Sequence, residues 1–259
     1  MSTSTVLYEC EGGIAVITLN RPERLNAFNA ALFADLNAAI ARFRDDVSAQ
    51  VCILTAAGDR AFSAGMDIDA GDALLKGGDL GAASQFEFDF TDDDMGGKPV
   101  IFAAFGHCVG QAVALAAWAD IRIAADTTQF ALPEAKLGVN AVLLPVLLTD
   151  LVGGSQAAYA LIYGGRLGAD WALRSGFVHE VVAADAVMAR ARAIAGEIMK
   201  QGPMALRAHK RLLMAARRED RAAVIAKGLE MRKATLESAD FREGISAFLE
   251  RRDAKFKGR

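Results

Sequence analysis

Cysteine is scarce in this chain: three residues in 259, widely spaced and with no CxxC pair, which excludes a disulfide framework and a thiolate zinc site. Cys10 stands near the start, while Cys52 and Cys108 lie in apolar runs, where a thiol is an inert core group. Histidine is as rare, and His107, His179 and His209 are too dispersed to propose a metal cluster. Asp92, Asp93 and Asp94 are consecutive, and neighbouring carboxylates do not converge on one cation. No GxGxxG, P-loop, HExxH, GxSxG elbow or EF-hand loop is present. A net charge of −3 supplies no global field for nucleic acid. MSTSTVLYEC has neither a basic n-region nor an apolar h-region, and KGR at the end is no lipidation or address motif. A soluble, reducing, cytoplasmic setting is expected, with no metal, no nucleic acid and no membrane.

What is present is a globular composition, 53% hydrophobic and 24% charged, at a length that suits one large domain or one domain with an appendage. Charge is unevenly spread. Residues 77–97 carry Asp79, Glu87, Asp89, Asp92, Asp93 and Asp94 and no base, whereas 16 Lys or Arg face 8 Asp or Glu over residues 200–259. Solvated surface accounts for both runs. The alternative for the basic end is that it helps to hold an anionic ligand such as a phosphorylated cofactor.

Hydrophobic patterning predicts an α/β core. VLYEC and IAVITLN flank EGG as a hairpin, and Asn29 is placed to cap a helix over 30–43 through Leu32, Phe33, Leu36, Ile40 and Phe43. VCILTAA reads as a buried strand followed by the loop GDRAFSAGMDI. Residues 77–97, with alternating Phe86, Phe88 and Phe90, read as a lid or a frayed helix. PVIFAAFGHCVGQAVALAAWADI is long enough on paper to span a bilayer, but Pro99, Gly106 and Gly110 divide it into strand, turn and buried helix. IRIAA and 129–131 follow as strands, PEAKLG as a loop, and the chain after Ala141 is mostly helical, with VHEVV as a short strand. No internal repeat is legible in the letters, so any repeated unit must be structural.

Two segments share one physical plan. VCILTAAGDRAFSAGMD and PVIFAAFGHCVGQAVALA each carry a buried strand into a small-residue turn and then towards a helix, whose first N–H groups favour negative charge. Two such N–H groups aimed at one point would form an oxyanion hole; taken alone, glycine turns after strands are usually only turns.

Taken together and in order, ITLNRPERLNAFN, AFSAGMDI, KPVIFAAFGHCVGQAVALAAWADIRIAADTTQFALPEAKLGV, VGGSQAAYALIYGGRLGADWALRSGFVHEVV and FREGISAFLERR resemble the crotonase superfamily of enoyl-CoA hydratases and isomerases along nearly the whole chain. The resemblance implies a ClpP/crotonase-like spiral of ββα units over residues 1–195. It also implies a C-terminal helical region over 196–259 that serves trimerisation and covers the CoA site, in a homotrimer or homohexamer. The implied ligand is an acyl-CoA thioester, so coenzyme A belongs to the substrate and no separate cofactor is expected. Backbone N–H groups of Met66 and Gln111 match the oxyanion donors; Gln111 stands where glycine is usual. Arg24, Leu25, Ala27, Ala61, Ala64, Gly65, Asp67, Ile68, His107, Val109, Gly110, Pro133 and Gly138 match substrate and CoA contacts. Arg24 lies towards the nucleotide end and His107 beside the acyl pocket.

Glu134 matches one of the two glutamates of family hydratases, and the position of the other holds Ala114. Hydration needs an oriented water as well as proton transfer, whereas moving a proton beside a thioester needs a single base. The resemblance therefore points to a Δ3,Δ2-enoyl-CoA isomerase. A hydratase with an atypical second acid, for instance from residues 77–97, and a non-catalytic acyl-CoA-binding homologue are the alternatives.

Overall fold

Gly12 and Gly13 both have positive φ, 57° and 86°, and form the two-residue loop that joins β1 (Val6–Glu11) to β2 (Ile14–Leu19). Such a loop matches the twist of an antiparallel pair, here in register from Val6 opposite Leu19 to Glu11 opposite Ile14. The computed structural model describes residues 4–67, 95–137, 141, 143–216 and 238–259. Ile68, Gly138 and the acidic, phenylalanine-bearing stretch through residue 94 lie outside them.

The expected cap is in place: Asn29 Oδ1 accepts from Leu32 N at 2.9 Å and starts α1 (Ala30–Asp45). Leu32, Phe33, Leu36, Ala39 and Phe43 form its buried face. β3 (Val51–Ala56) is buried at every residue, as befits a strand covered on both faces. The period of two decides which side chain goes where. Cys52, Leu54 and Ala56 join the larger hydrophobic core, while Val51 and Ile53 join a second core under a helix.

After β3 the chain repeats a step. β4 (Ala61–Ser63) leaves the plane of β3; β5 (Val100–Ala104) is followed by β6 (His107–Val109) and α2 (Gln111–Trp118); β7 (Ile121–Ala125) is followed by β8 (Gln129–Ala131). With β9 (Arg166–Gly168) and β10 (Glu180–Val182), the first strand of each step enters a six-stranded sheet ordered β1-β2-β3-β5-β7-β10. The second strand enters a four-stranded sheet ordered β4-β6-β8-β9. From β3 to β8 successive steps pair in parallel in both sheets. This is the ββα spiral expected from the resemblance, and its repeat is carried by topology rather than by letters.

Two expectations change. Residues 61–63 and 107–109 form short strands where a loop and a turn were expected, and Glu134–Leu137 form one 3-10 turn within the expected PEAKLG loop. Three residues are too few for a period-two pattern, and these strands exist because a neighbouring step of the spiral pairs with them.

Leu144–Tyr163 is α3; among the described residues it is the helix long and apolar enough to cross a membrane by length and composition. Gly153, at φ 74° and ψ 158°, breaks it into two helical pieces, which a hydrocarbon span does not tolerate without internal compensation. Its outer face leaves Val146, Tyr159, Ile162 and Tyr163 exposed. After α4 (Ala169–Arg174), α5 (Val187–Met199) runs across residue 195 and sets Val187, Ala191 and Ala195 against Ile53, Ile101 and Ile123 of the large sheet. α6 (Pro203–Ala216) is clipped on by Lys210, whose Nζ donates to Lys98 O and to Asp120 Oδ2, each at 2.8 Å; α7 (Ala239–Glu250) follows.

The corner between β5 and β6 admits only glycine. Gly106 has φ 56°, and a Cβ there would lie 2.1 Å from the Arg60 carbonyl oxygen, which accepts from His107 N at 3.1 Å. Gly106→Ala is expected to destabilise the protein by at least ~2 kcal/mol, read as a lower midpoint of chemical unfolding at unchanged slope.

Candidate active site

The parallel register of the small sheet brings the candidate residues together. Ser63 pairs with Cys108, and Cys108 with Phe130, so these three form one row across β4, β6 and β8. Met66 and Gln111 each lie three residues beyond that row, and Glu134 lies four beyond it. All three therefore leave the carboxyl ends of parallel strands on one rim of the sheet, the customary place for a ligand in such sheets.

Close backbone contacts draw the loops together. A Cβ on Gly65 would come within 3.2 Å of Val109 O, so the loop before Met66 lies directly against the loop before Gln111. Gly110 N donates to Ala131 O at 2.9 Å, which ties the start of α2 to the strand leading to Glu134. Gly110 itself has φ 54°, and a Cβ there would stand 2.9 Å from Glu134 Oε1. The carboxyl group thus rests against a backbone position without a side chain, at the amino end of a helix. Among the described residues, Met66 N–H donates no hydrogen bond.

Glu134 is half-buried, and its Oε2 is fully buried with no hydrogen-bond partner. Desolvation raises its pKa above the ordinary glutamate range, offset in part by its own backbone N–H. A carboxyl so placed is a poor surface group and a good proton carrier. Ala114 lies one helical turn beyond Gly110, its N–H bonded to Gly110 O at 3.2 Å, and its methyl is buried in the main core. Cys108, in the middle of β6, is fully buried, and burial pushes its thiol far above the usual range.

The loop of residues 20–28 forms the outer wall. Leu25 O accepts from Ala64 N at 3.0 Å, and Phe28 bridges Met66 by accepting from Asp67 N at 2.9 Å and donating to Gly65 O at 2.8 Å. Asn26, fully buried at φ 53°, donates to Ala57 O and Ala61 O at 2.9 and 3.1 Å. Beside it is a cavity of about 270 Å³, lined in part by Pro22, Leu25, Asp59, Arg60 and Ala61. Leu25 and Ala61 were expected as contacts; Asp59 and Arg60 were not singled out. Arg24 is exposed on the 3-10 turn Pro22–Arg24. Ala27 is buried, and its carbonyl accepts from Arg21; Asp67, expected at the ligand, turns its carboxylate to Arg21 at 3.1 Å. His107 and Val109 are half-buried in β6, and Pro133 precedes Glu134 on the rim. Arg21 was missed, since an arginine before proline reads as surface.

Known proteins share this sequence and this shape. The profile of the enoyl-CoA hydratase/isomerase family matches residues 9–259. A carnitinyl-CoA dehydratase of Citrobacter koseri is 36% identical, covering 96% of both chains, and that of Escherichia coli strain K12 is 35% identical with the same coverage. Among solved structures, an enoyl-CoA hydratase from Bacillus anthracis superposes with a TM-score of 0.91 at 26% identity, covering 98% of this chain and 100% of its own. An enoyl-CoA hydratase/carnithine racemase from Magnetospirillum magneticum gives 0.88 at 32% identity, covering 100% and 97%.

The raised pKa of Glu134 has a definite sign in stability. Below the ordinary glutamate value of 4.5 the carboxyl is protonated folded and unfolded, and its burial costs nothing extra. As pH rises through the folded value, the buried group must ionise against desolvation, and that stability is lost. Glu134→Gln is therefore expected to gain thermal stability relative to the wild type between pH 4 and pH 8, measured as the difference between their melting temperatures. A difference that stays constant with pH would show that the carboxyl is not desolvated.

Proposed function

The chain belongs to the enoyl-CoA hydratase/isomerase family, whose members act on CoA thioesters, and on that premise we propose that Glu134 alone moves protons at the carbon beside the thioester carbonyl. In this reading Glu134 takes a C2 proton from a 3-enoyl-CoA. The electron pair moves towards the carbonyl, leaving a dienolate whose oxygen faces the N–H groups of Met66 and Gln111. The same carboxyl returns the proton at C4, and the double bond ends between C2 and C3. The observation that carries the proposal is the buried, unpartnered Oε2 of Glu134 beside Gly110, with a core methyl at Ala114 where a second carboxylate would stand.

Each part has a physical reason. Desolvation raises the pKa of the carboxyl, the direction that favours one group both accepting and donating a proton. Main-chain donors at the ends of β4 and β6 need no reorganisation as charge develops, and one such donor is worth roughly 10²–10³ in turnover in a hydrolase precedent. The ligand would run from the rim past Leu25 and Ala61 into the cavity lined by Asp59 and Arg60. The helices after Met199 would cover it, and the exposed apolar face of α3 suits a subunit contact in the expected trimer or hexamer.

A second reading is favoured by the carnitinyl-CoA dehydratase relatives. Loss of water from a 3-hydroxyacyl-CoA would need Glu134 to take the C2 proton and hand a proton to the departing hydroxyl, both on one face. Absorbance of the conjugated 2-enoyl thioester separates the readings: a 3-enoyl substrate gains it by isomerisation, a 3-hydroxy substrate gains it by dehydration, and a ligand that binds without either change marks a binding protein. Isomerisation is expected to predominate. Glu134→Gln is expected to lower kcat by at least ~10²-fold with KM little changed. Full turnover by that variant would refute the assignment of the base.

A further inference from the structure

The guanidinium of Arg21 joins two points that flank Met66 in space. Its Nη1 and Nη2 reach Asp67 Oδ2 at 3.1 and 3.2 Å, and Nη1 also donates to the Ala27 carbonyl. Asp67 follows Met66 in sequence, and Ala27 precedes Phe28, whose N–H and carbonyl hold Gly65 O and Asp67 N. The Arg21 and Asp67 side chains are only 13% and 10% exposed, so the pair is largely shielded from water. The backbone of Arg21 is itself fixed: its N–H donates to Asn26 Oδ1 at 2.8 Å, and its carbonyl accepts from Arg24 N and Asn26 N. Asn26 in turn holds the carbonyls of Ala57 and Ala61 at the foot of β4.

We infer that Arg21 is a positioning residue: through Asp67 and the Ala27 carbonyl it sets the direction of the Met66 peptide N–H. This rests on the oxyanion role of Met66 proposed above. Arg21 touches neither the thioester nor Glu134 in this scheme. Its effect runs through two adjacent backbone segments that are also joined by the paired hydrogen bonds of Phe28 and by Ala64 N donating to Leu25 O. The fork matters as much as the charge. An ammonium is a single point and does not serve Asp67 and Ala27 from one place as a planar guanidinium does. An exposed pair of this kind would contribute little, but disrupting one this largely buried costs more.

The test uses the full-length protein with a chromophoric 2-enoyl-CoA, such as a cinnamoyl thioester, whose absorption moves to longer wavelength when its carbonyl oxygen is polarised. Arg21→Met is expected to lower kcat by about 10- to 100-fold, as misplacement on the order of 1 Å does, with KM within about threefold, and to reduce the spectral shift. Arg21→Lys is expected to recover only part of either. Asp67→Asn, which keeps the side-chain shape, covers the case in which Arg21→Met does not fold, and is expected to change kcat and spectrum in the same direction. Glu134→Gln is expected to keep the full spectral shift while losing turnover. A folded Arg21→Met or Asp67→Asn protein with undiminished shift and kcat would overturn the inference, as would an effect confined to KM. A wild-type protein that leaves the bound chromophore unshifted would instead remove the oxyanion reading on which the inference stands.

Discussion

Pairing of three short parallel strands, β4, β6 and β8, is the interaction on which the site depends. Each is three residues long and contributes few hydrogen bonds. Their register nevertheless sets where the chain emerges after Ser63, Val109 and Ala131. A slip of one residue would turn Cys108 outwards and carry Gln111 away from Gly65, because side-chain direction alternates along a strand. The large sheet guards against such a slip. β3, β5 and β7 are buried on both faces by two separate hydrophobic cores, and each feeds its short successor through a tight corner. Rigidity made by ordinary hydrophobic burial is thereby delivered to a rim where little apolar surface is available.

Much of the scaffold was legible in the letters because it rests on local rules. The Gly12–Gly13 pair, the Asn29 cap and the unbroken apolar run of β3 each carry their structure within a few residues. The short strands were not legible, since nothing within 61–63 or 107–109 distinguishes a strand from a turn until another step of the spiral lies alongside. Of the site, Glu134 was visible as a loop carboxylate, and its meaning came from resemblance. Its desolvation and its contact with Gly110 are tertiary facts. Arg21 illustrates the same limit from the other side. Its position before Pro22 suggests a turn, and only the approach of residues 57–67 converts it into a buried ion pair.

The contrast between Glu134 and Ala114 gives the site its chemical character. Two carboxylates facing one small volume would raise each other's pKa and would hold water between them. Here one carboxyl is raised by burial alone, and the opposing helix supplies a methyl group packed into the core. In the proposed reading such a pocket moves protons with one carboxyl and needs no second one to orient a water molecule.

The burial of Cys108 has a consequence for a protein that handles thioesters. Its sulfur lies on the strand that ends at the proposed thioester oxygen site, three residues before Gln111. A thiolate there would be a competing nucleophile, able to exchange with the acyl-CoA and leave the acyl group covalently attached to the protein with coenzyme A expelled. Exchange proceeds through the thiolate, and a fully buried, desolvated thiol forms almost none. The core packing that aligns β6 also keeps its sulfur in the unreactive thiol form.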